Sequence, residues 1–359
     1  MRILVATDAW QPQINGVVRT LNALAQAATP FGATIVFLTP DQFPTVALPF
    51  YREIRLALPH PRAVAARIAE ARVDAVHIAT EGPIGLMVRS ACRKFGIPFT
   101  TSFHTRFPDY LAARLPLPQR WTQGVVWAWL RRFHAPASTV MAATPALVRE
   151  LGERGFGNVG LWSRGVDTDL FRPRHGADLG LPRPVFLTVG RVAPEKNLDA
   201  FLRLDLPGSK VVVGDGPAGT ALRRRYPDAH FLGVRSGEAL AEAYAAADVF
   251  VFPSRTDTYG LVLLEALASG VPVAAFPVPG PRDVIGDAPV GVLDNDLGAA
   301  CLRALTIPRE ACRRFALDKS WPRSAQLFLR HIHAPRRRLP LLRRDHIALT
   351  ADRLLKRHV

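Results

Sequence analysis

Short β-branched runs alternate with segments of helical periodicity along this chain, and the alternation starts twice. Ile3–Thr7, Thr34–Leu38, Ala75–Ile78, Phe99–Ser102 and Thr139–Ala142 read as buried strands, with Val17–Ala28, Pro61–Ala71 and Ile84–Phe95 carrying apolar residues at helical spacing between them. Strand, helix and strand in succession call for a parallel sheet with helices on both faces. After Ser163-Arg164-Gly165-Val166-Asp167 comes Phe171–Pro184, rich in Pro, Gly and charge, which reads as a hinge. The series then resumes with strands Val185–Val189, Lys210–Val213, Val249–Phe252 and Val271–Ala275, and helices Ser236–Ala246, Gly260–Ser269 and Leu297–Leu305. The fold class is therefore α/β, two doubly wound Rossmann-like halves. A length of 359 residues suits two cores better than one. We draw the domains at 1–165 and 166–320, with 321–359 as a C-terminal helix returning toward the first half, followed by a basic tail.

Charge limits the partners. Lys and Arg number 46 against 30 Asp and Glu, for a net charge of +16 and a pI near 10.9, so the chain attracts polyanions or anionic lipid surfaces. No zinc spacing or aromatic RNA-binding signature accompanies that charge, which is spread along the chain, so nucleic acid is not the expected partner. Cys92, Cys301 and Cys312 form no CxxC pair, which excludes a zinc site or disulfide framework and fits a reducing cytoplasm. The apolar run at Met1–Ala6 is stopped by Asp8 and reads as a strand rather than a signal peptide. The apolar stretch Leu261–Pro279 contains Glu265 and prolines, so no membrane-spanning helix is expected. In the tail, Arg336-Arg337-Arg338, Arg343-Arg344 and Leu354-Leu355-Lys356-Arg357 form either an amphipathic membrane contact or a solvated charge run.

Chemistry gathers where strands run into loops. The first strand ends at Asp8, and Gly16 stands where the following loop enters a helix, either to let a phosphate approach the backbone or to make a tight turn. Beyond Val185–Val189, Arg191 and Lys196 are cations at a strand's carboxyl end, where open α/β sheets bind ligands. They can clamp a diphosphate and stabilise charge on a departing phosphate, or Arg191 can simply pair with Glu195. The segment Pro253–Ala266 opens an apolar helix at Gly260 and Leu261, whose amides offer the positive end of a helix dipole. Asp257 precedes that end and Glu265 follows it. Carboxylates beside an anion site suit sugar hydroxyls, although Asp257 also reads as a helix cap.

The glycine loop at Gly16, Ser102-Phe103-His104-Thr105, Gly190-Arg191 with Lys196, and the acidic pair ending in Glu265 recur in an order that resembles family 4 glycosyltransferases of the GT-B fold, over nearly the whole chain. The resemblance implies two Rossmann-like domains facing a central cleft, the first for the acceptor and the second for the donor. It implies that Gly16, Arg191, Lys196 and the amides of Gly260 and Leu261 hold the donor diphosphate, and that Glu265 holds the ribose. Asp257, where the family usually has Glu, would reach the hydroxyls of the transferred sugar, and His104 would face that sugar near its anomeric carbon. Asp8 serves the acceptor, with Arg19 nearby, or caps the glycine loop. Gly214-Asp215-Gly216-Pro217 and Phe231-Leu232-Gly233 resemble the loops around the phosphate and base.

The wording around Ser163–Pro173 and Ser254–Thr258 resembles GDP-mannose-dependent mannosyltransferases and sulfoquinovosyl-lipid synthases, so the expected donor substrate is GDP-mannose, with a UDP-sugar as the alternative. The resemblance further implies a retaining, front-face displacement without cofactor or metal. Leu111–Phe133, with Trp121, Trp127, Trp129, Arg131 and Arg132, suits a lipid or lipid-linked acceptor at an anionic membrane surface, or else is a partly buried helix with its arginines in solvent. The expected location is the inner face of a membrane, peripherally bound on the cytoplasmic side. The rival readings are a sugar-nucleotide epimerase and a basic nucleic-acid- or membrane-binding protein without catalysis.

Overall fold

The computed structural model describes residues 1–12, 16–48, 51–104, 119–255 and 259–338. The chain forms two units, Met1–Ser163 joined by the residues from Pro322 onward, and Arg164–Trp321. The first contains β1 (Arg2–Ala6), α1 (Gly16–Ala28), β2 (Thr34–Leu38), the strands β3 (Thr45–Leu48) and β4 (Tyr51–Ala57), α2 (Pro61–Ala71), β5 (Ala75–Ile78), α3 (Pro83–Lys94), β6 (Phe99–Phe103), α4 (Gln119–His134), β7 (Val140–Ala142), α5 (Pro145–Glu153) and β8 (Val159–Leu161). The second contains β9 (Val185–Val189), α6 (Leu198–Leu202), β10 (Ser209–Val213), α7 (Gly219–Arg225), β11 (His230–Phe231), α8 (Gly237–Ala246), β12 (Val249–Phe252), α9 (Leu261–Ala268), β13 (Val273–Ala275), α10 (Pro279–Ile285), β14 (Gly291–Leu293), α11 (Leu297–Ala304) and α12 (Arg309–Leu317). The last helix, α13 (Trp321–Arg338), returns to the first unit.

Each unit is built on a six-stranded parallel sheet, ordered β2-β1-β5-β6-β7-β8 in the first and β11-β10-β9-β12-β13-β14 in the second. The α/β expectation therefore holds in both halves. Strand periodicity decides which core each side chain joins: Leu4 and Ala6 turn to one face of the first sheet while Ile3 and Val5 turn to the other. In the second sheet Phe250 and Phe252 oppose Val249 and Val251 in the same way. The second face of the first sheet is closed by α13, whose Ala325, Phe328, Leu329 and Ile332 pack with Ile3, Val5, Leu21, Leu24 and Trp162.

The Pro- and Gly-rich segment 171–184 is part of the second unit rather than a hinge. Phe171 is buried in that unit's core, and Arg313 donates to the carbonyls of Phe171, Thr168 and Ala268. Arginine works in the same way elsewhere. Arg89 binds the carbonyls of Phe133 and Arg132 at the end of α4, Arg309 binds those of Ala245 and Ala247 after α8, and Lys210 binds those of Leu202 and Leu204 after α6. Cations there satisfy orphan carbonyls and complement the helix dipole.

Candidate active site

Each strand order turns back once, which opens a crevice at the carboxyl ends of the strands: between β1 and β5 in the first unit, and between β9 and β12 in the second. Sequence-expected residues stand at both.

In the first unit Asp8 lies just beyond β1 and spans its crevice. Its amide donates to Thr80 Oγ1 at 2.7 Å, and the Thr80 hydroxyl donates back to Asp8 Oδ2 at 2.8 Å. The amides of Ile84 and Gly85 donate to Oδ1 and Oδ2 at 2.8 and 3.3 Å, so the carboxylate caps α3. Gly82 makes room for it, since a Cβ there would stand 2.4 Å from the Asp8 carboxyl carbon. Burial raises the Asp8 pKa above its ordinary 3.8, and the bonds from Ile84, Thr80 and Gly85 offset part of that rise. Gly16 is the first residue of α1, with nothing among the described residues within 4 Å of a Cβ placed on it. Arg19 is exposed on the same helix.

His104 follows β6, its ring edge-on to Trp162 at 5.8 Å. The strand before it is held by buried histidines on both faces. His77 joins Thr100 Oγ1 through Nδ1 at 2.8 Å and Ser102 Oγ through Nε2 at 2.9 Å. On the opposite face His134 Nδ1 meets Thr101 Oγ1 at 2.8 Å, and its Nε2 stands 3.3 Å from Glu81 Oε1. Nothing in the sequence pattern marked His77, His134 or Glu81.

The aromatic helix α4 divides its residues between core and surface. Trp127 is 8% exposed, stacks on Phe103 at 5.8 Å and carries the Arg154 guanidinium 4.1 Å from its ring centroid. It belongs to the core and not to a membrane contact. Trp129 and Val125, by contrast, are 40% and 68% exposed, with Arg131 and Arg132 exposed on the same helix. Thr105, residues 111–118 and the side chain of Trp121 lie outside the described residues.

In the second unit, glycines let two loops meet backbone to backbone. A Cβ on Gly214 would fall 1.9 Å from the Gly190 carbonyl oxygen, and one on Gly216 would fall 2.4 Å from that of Val192. The Val192 amide accordingly donates to the Asp215 carbonyl at 2.9 Å. Across the crevice, Asn197 Nδ2 donates to the Pro253 carbonyl at 3.0 Å and Ser254 Oγ to the Glu195 carbonyl at 3.4 Å. These bonds fix the turn Pro194–Lys196, and with it Lys196, against the loop after β12. Arg191, 41% exposed, pairs with Glu195 at 3.6 Å. Gly260 takes a left-handed φ of +79° where α9 begins, a conformation that costs other residues strain. Glu265 is only 4% exposed, and Tyr244 donates its hydroxyl proton to Glu265 Oε2 at 2.9 Å. Asp257 lies outside the described residues.

Arg164, buried, and Tyr259, half-buried, interact next to the start of α9. Burial lowers the Arg164 guanidinium to about 10, still a cation at neutral pH, and raises the Tyr259 phenol to about 12. Among the described residues no cluster of His, Cys, Asp or Glu is arranged to hold a metal ion, and no helix is long and apolar enough to cross a membrane. The tail beyond Arg338 lies outside the described residues.

The profile described as Glycosyltransferase Family 4 matches residues 14–170, and that described as Glycosyl transferases group 1 matches residues 183–306. A GDP-mannose-dependent alpha-mannosyltransferase of Mycobacterium tuberculosis is 31% identical, covering 94% of this chain and 98% of its own. The sulfoquinovosyl transferase SQD2 of Arabidopsis thaliana is 30% identical over 66% of this chain and 49% of its own. Among solved structures, a sucrose-phosphate synthase from Thermosynechococcus elongatus superposes with a TM-score of 0.70 at 22% identity, covering 99% of this chain and 98% of that one. The fold is GT-B.

Proposed function

The chain belongs to glycosyltransferase family 4, and from that premise we propose that it moves a hexosyl group from a nucleotide sugar to a lipid or lipid-linked acceptor, with retained anomeric configuration. GDP-mannose is the favoured donor, in keeping with the relative from Mycobacterium tuberculosis. The observation that carries this reading is the second unit's crevice, where Lys196 is tied to the loop after β12 and a left-handed Gly260 opens α9. A diphosphate there meets two cations and the positive end of a helix.

The donor's bond between anomeric carbon and phosphate oxygen breaks as the acceptor oxygen bonds the same face of that carbon. The departing diphosphate takes the acceptor's hydroxyl proton. Arg191, Lys196 and the amides of Gly260 and Leu261 stabilise the negative charge, so electrostatic preorganisation is the main catalytic term and no metal is required. Gly16 adds a backbone approach to the diphosphate. Arg191 can leave Glu195 for it, because an exposed ion pair is worth little. Glu265, oriented by Tyr244, takes the ribose hydroxyls, Asp257 the hydroxyls of the transferred sugar, and His104 stands by its anomeric carbon. Asp8 Oδ1 accepts from Ile84 and keeps a lone pair for an acceptor hydroxyl, and Arg19 serves the same acceptor. The enzyme is placed peripherally on the cytoplasmic face of a membrane. Support comes from exposed Arg93, Lys94, Arg131 and Arg132 beside Trp129 and Val125 on α3 and α4.

A thermal-shift panel of GDP, UDP, GDP-mannose, UDP-glucose and UDP-glucuronate tests the donor, since a ligand selective for the native state raises its apparent stability. Selective stabilisation by the GDP compounds is expected. Response to UDP compounds alone would replace the donor with a UDP-sugar, and no response at all would sink the nucleotide-sugar reading. Turnover should survive EDTA; complete loss would contradict metal independence.

A further inference from the structure

We propose that Trp162 is a positioning residue for His104 and that the hydroxyl of Ser324, on the returning helix α13, holds Trp162 in place. This rests on the reading in which His104 faces the transferred sugar. Trp162 is fully buried at the last turn of chain before the units part. Its ring meets His104 edge-on at 5.8 Å and 78°, meets His77 edge-on at 5.9 Å and 88°, and lies 4.9 Å from Phe328 of α13. Its one polar atom is used as well: Nε1 donates to Ser324 Oγ at 3.1 Å, and that hydroxyl donates to the Ser163 carbonyl at 2.6 Å. His77 touches the same ring while bonding Ser102 Oγ, two residues before His104 in β6.

His104 is thus approached from two sides by one construction. The strand leading into it is pinned at Ser102 through His77, and its ring plane is set by Trp162, since an aromatic edge-to-face contact is directional. All of these groups lie in the first unit. Trp162 could have been held by packing alone, as Phe328 is. The hydrogen bond instead fixes the indole's rotation about its ring axis, and with it the surface offered to the imidazole. A catalytic imidazole needs that definition, because small errors in the placement of a reacting group cost rate steeply.

The test compares Ser324→Ala, Ser324→Thr and Trp162→Phe in the full chain. Measured would be transfer from GDP-mannose to phosphatidylglycerol vesicles carrying diacylglycerol and phosphatidylinositol, GDP binding, melting temperature, and the histidine ring resonances of isotope-labelled protein, with His104 assigned by substitution. Ser324→Ala and Trp162→Phe should each lower kcat by about tenfold with KM for GDP-mannose and GDP binding unchanged, and should shift the His104 resonance. Ser324→Thr, which keeps the hydroxyl, should restore both. The proposal fails if kcat is unaffected, if the His104 resonance stays where it is, or if kcat falls only in step with GDP binding and melting temperature. Should the wild type transfer no sugar from any donor, the glycosyltransfer reading fails separately, and the His104 resonance still decides whether Ser324 acts on that ring.

Discussion

Asp8 directs both carboxylate oxygens onto the first amides of α3, so its removal should be felt in stability before it is felt in any acceptor contact. Asp8→Ala is expected to cost about 1–2 kcal/mol, the value of a helix cap, measurable by urea denaturation. Its titration has a definite sign. A carboxyl whose pKa is raised by burial holds its proton more firmly in the folded chain than in the unfolded one, so its contribution is full at low pH and is lost as pH rises through the folded value. The stability of the wild type relative to Asp8→Asn should therefore fall as pH rises above the ordinary carboxyl value of 3.8, and a rise there would contradict the burial account. On the donor side, Arg191→Met should weaken GDP binding by about tenfold to hundredfold in calorimetry, the value of a hydrogen bond to a charged group. Glu195→Gln should change stability by no more than about 0.5 kcal/mol, because the exposed ion pair it removes is screened. Single residues were legible in the sequence where the backbone demanded a type. Gly190 and Gly260 punctuate loops visibly, and Lys196 sits at a strand's carboxyl end. The cap target of Asp8 was not legible, because Ile84 lies 76 positions away in sequence and only the strand order brings it near.

At the scale of elements, period decided what could be read. Strands such as Ala75–Ile78 and Val249–Phe252 have the boundaries that their apolar runs indicate, since a strand buried on both faces is a continuous apolar stretch. The pair β3 and β4, the short strands β11 and β14 and the helix α12 were less legible: His230–Phe231 has only two residues, and Arg309–Leu317 is dominated by charge. The helix α4 shows a second kind of illegibility. Its tryptophans look alike in sequence, yet 127 and 129 face opposite ways once one side packs on Phe103. Trp127→Ala should consequently cost about 3–5 kcal/mol or prevent folding. Trp129→Ala should leave the denaturation midpoint nearly unchanged and weaken binding to phosphatidylglycerol vesicles. Equal stability losses at both positions would show that α4 does not present the face seen here.

For the whole molecule, the net charge of +16 says less about partners than its size suggests. Arg89, Arg309, Arg313 and Lys210 are engaged with backbone carbonyls, so part of the basic excess holds helix ends and never reaches a ligand. Among the exposed cations that remain for an anionic surface are those on α3 and α4, Arg223, Arg224 and Arg225 on α7, and, in the sequence, the arginines of the tail. Burial lowers the Arg89 pKa, and neighbouring Arg93 and Arg132 lower it further, so positive charges crowd one another in that part of the first unit. Such charge should bind phosphatidylglycerol vesicles at low salt, fail to bind phosphatidylcholine vesicles, and release at about 0.5 M salt, where screening shortens the reach of charge to a few ångströms. Two variants then apportion the contact. Ending the chain after Arg338 removes the tail's Arg343-Arg344 and Leu354-Leu355-Lys356-Arg357 clusters and leaves α3 and α4 intact, while Arg93→Glu with Arg132→Glu does the reverse. If the folded surface is the docking face, the truncated chain keeps most of its vesicle binding and the double variant loses it. The opposite pattern would assign the contact to the tail, and binding lost equally in both would mean that neither suffices alone, so that attachment depends on the two acting together.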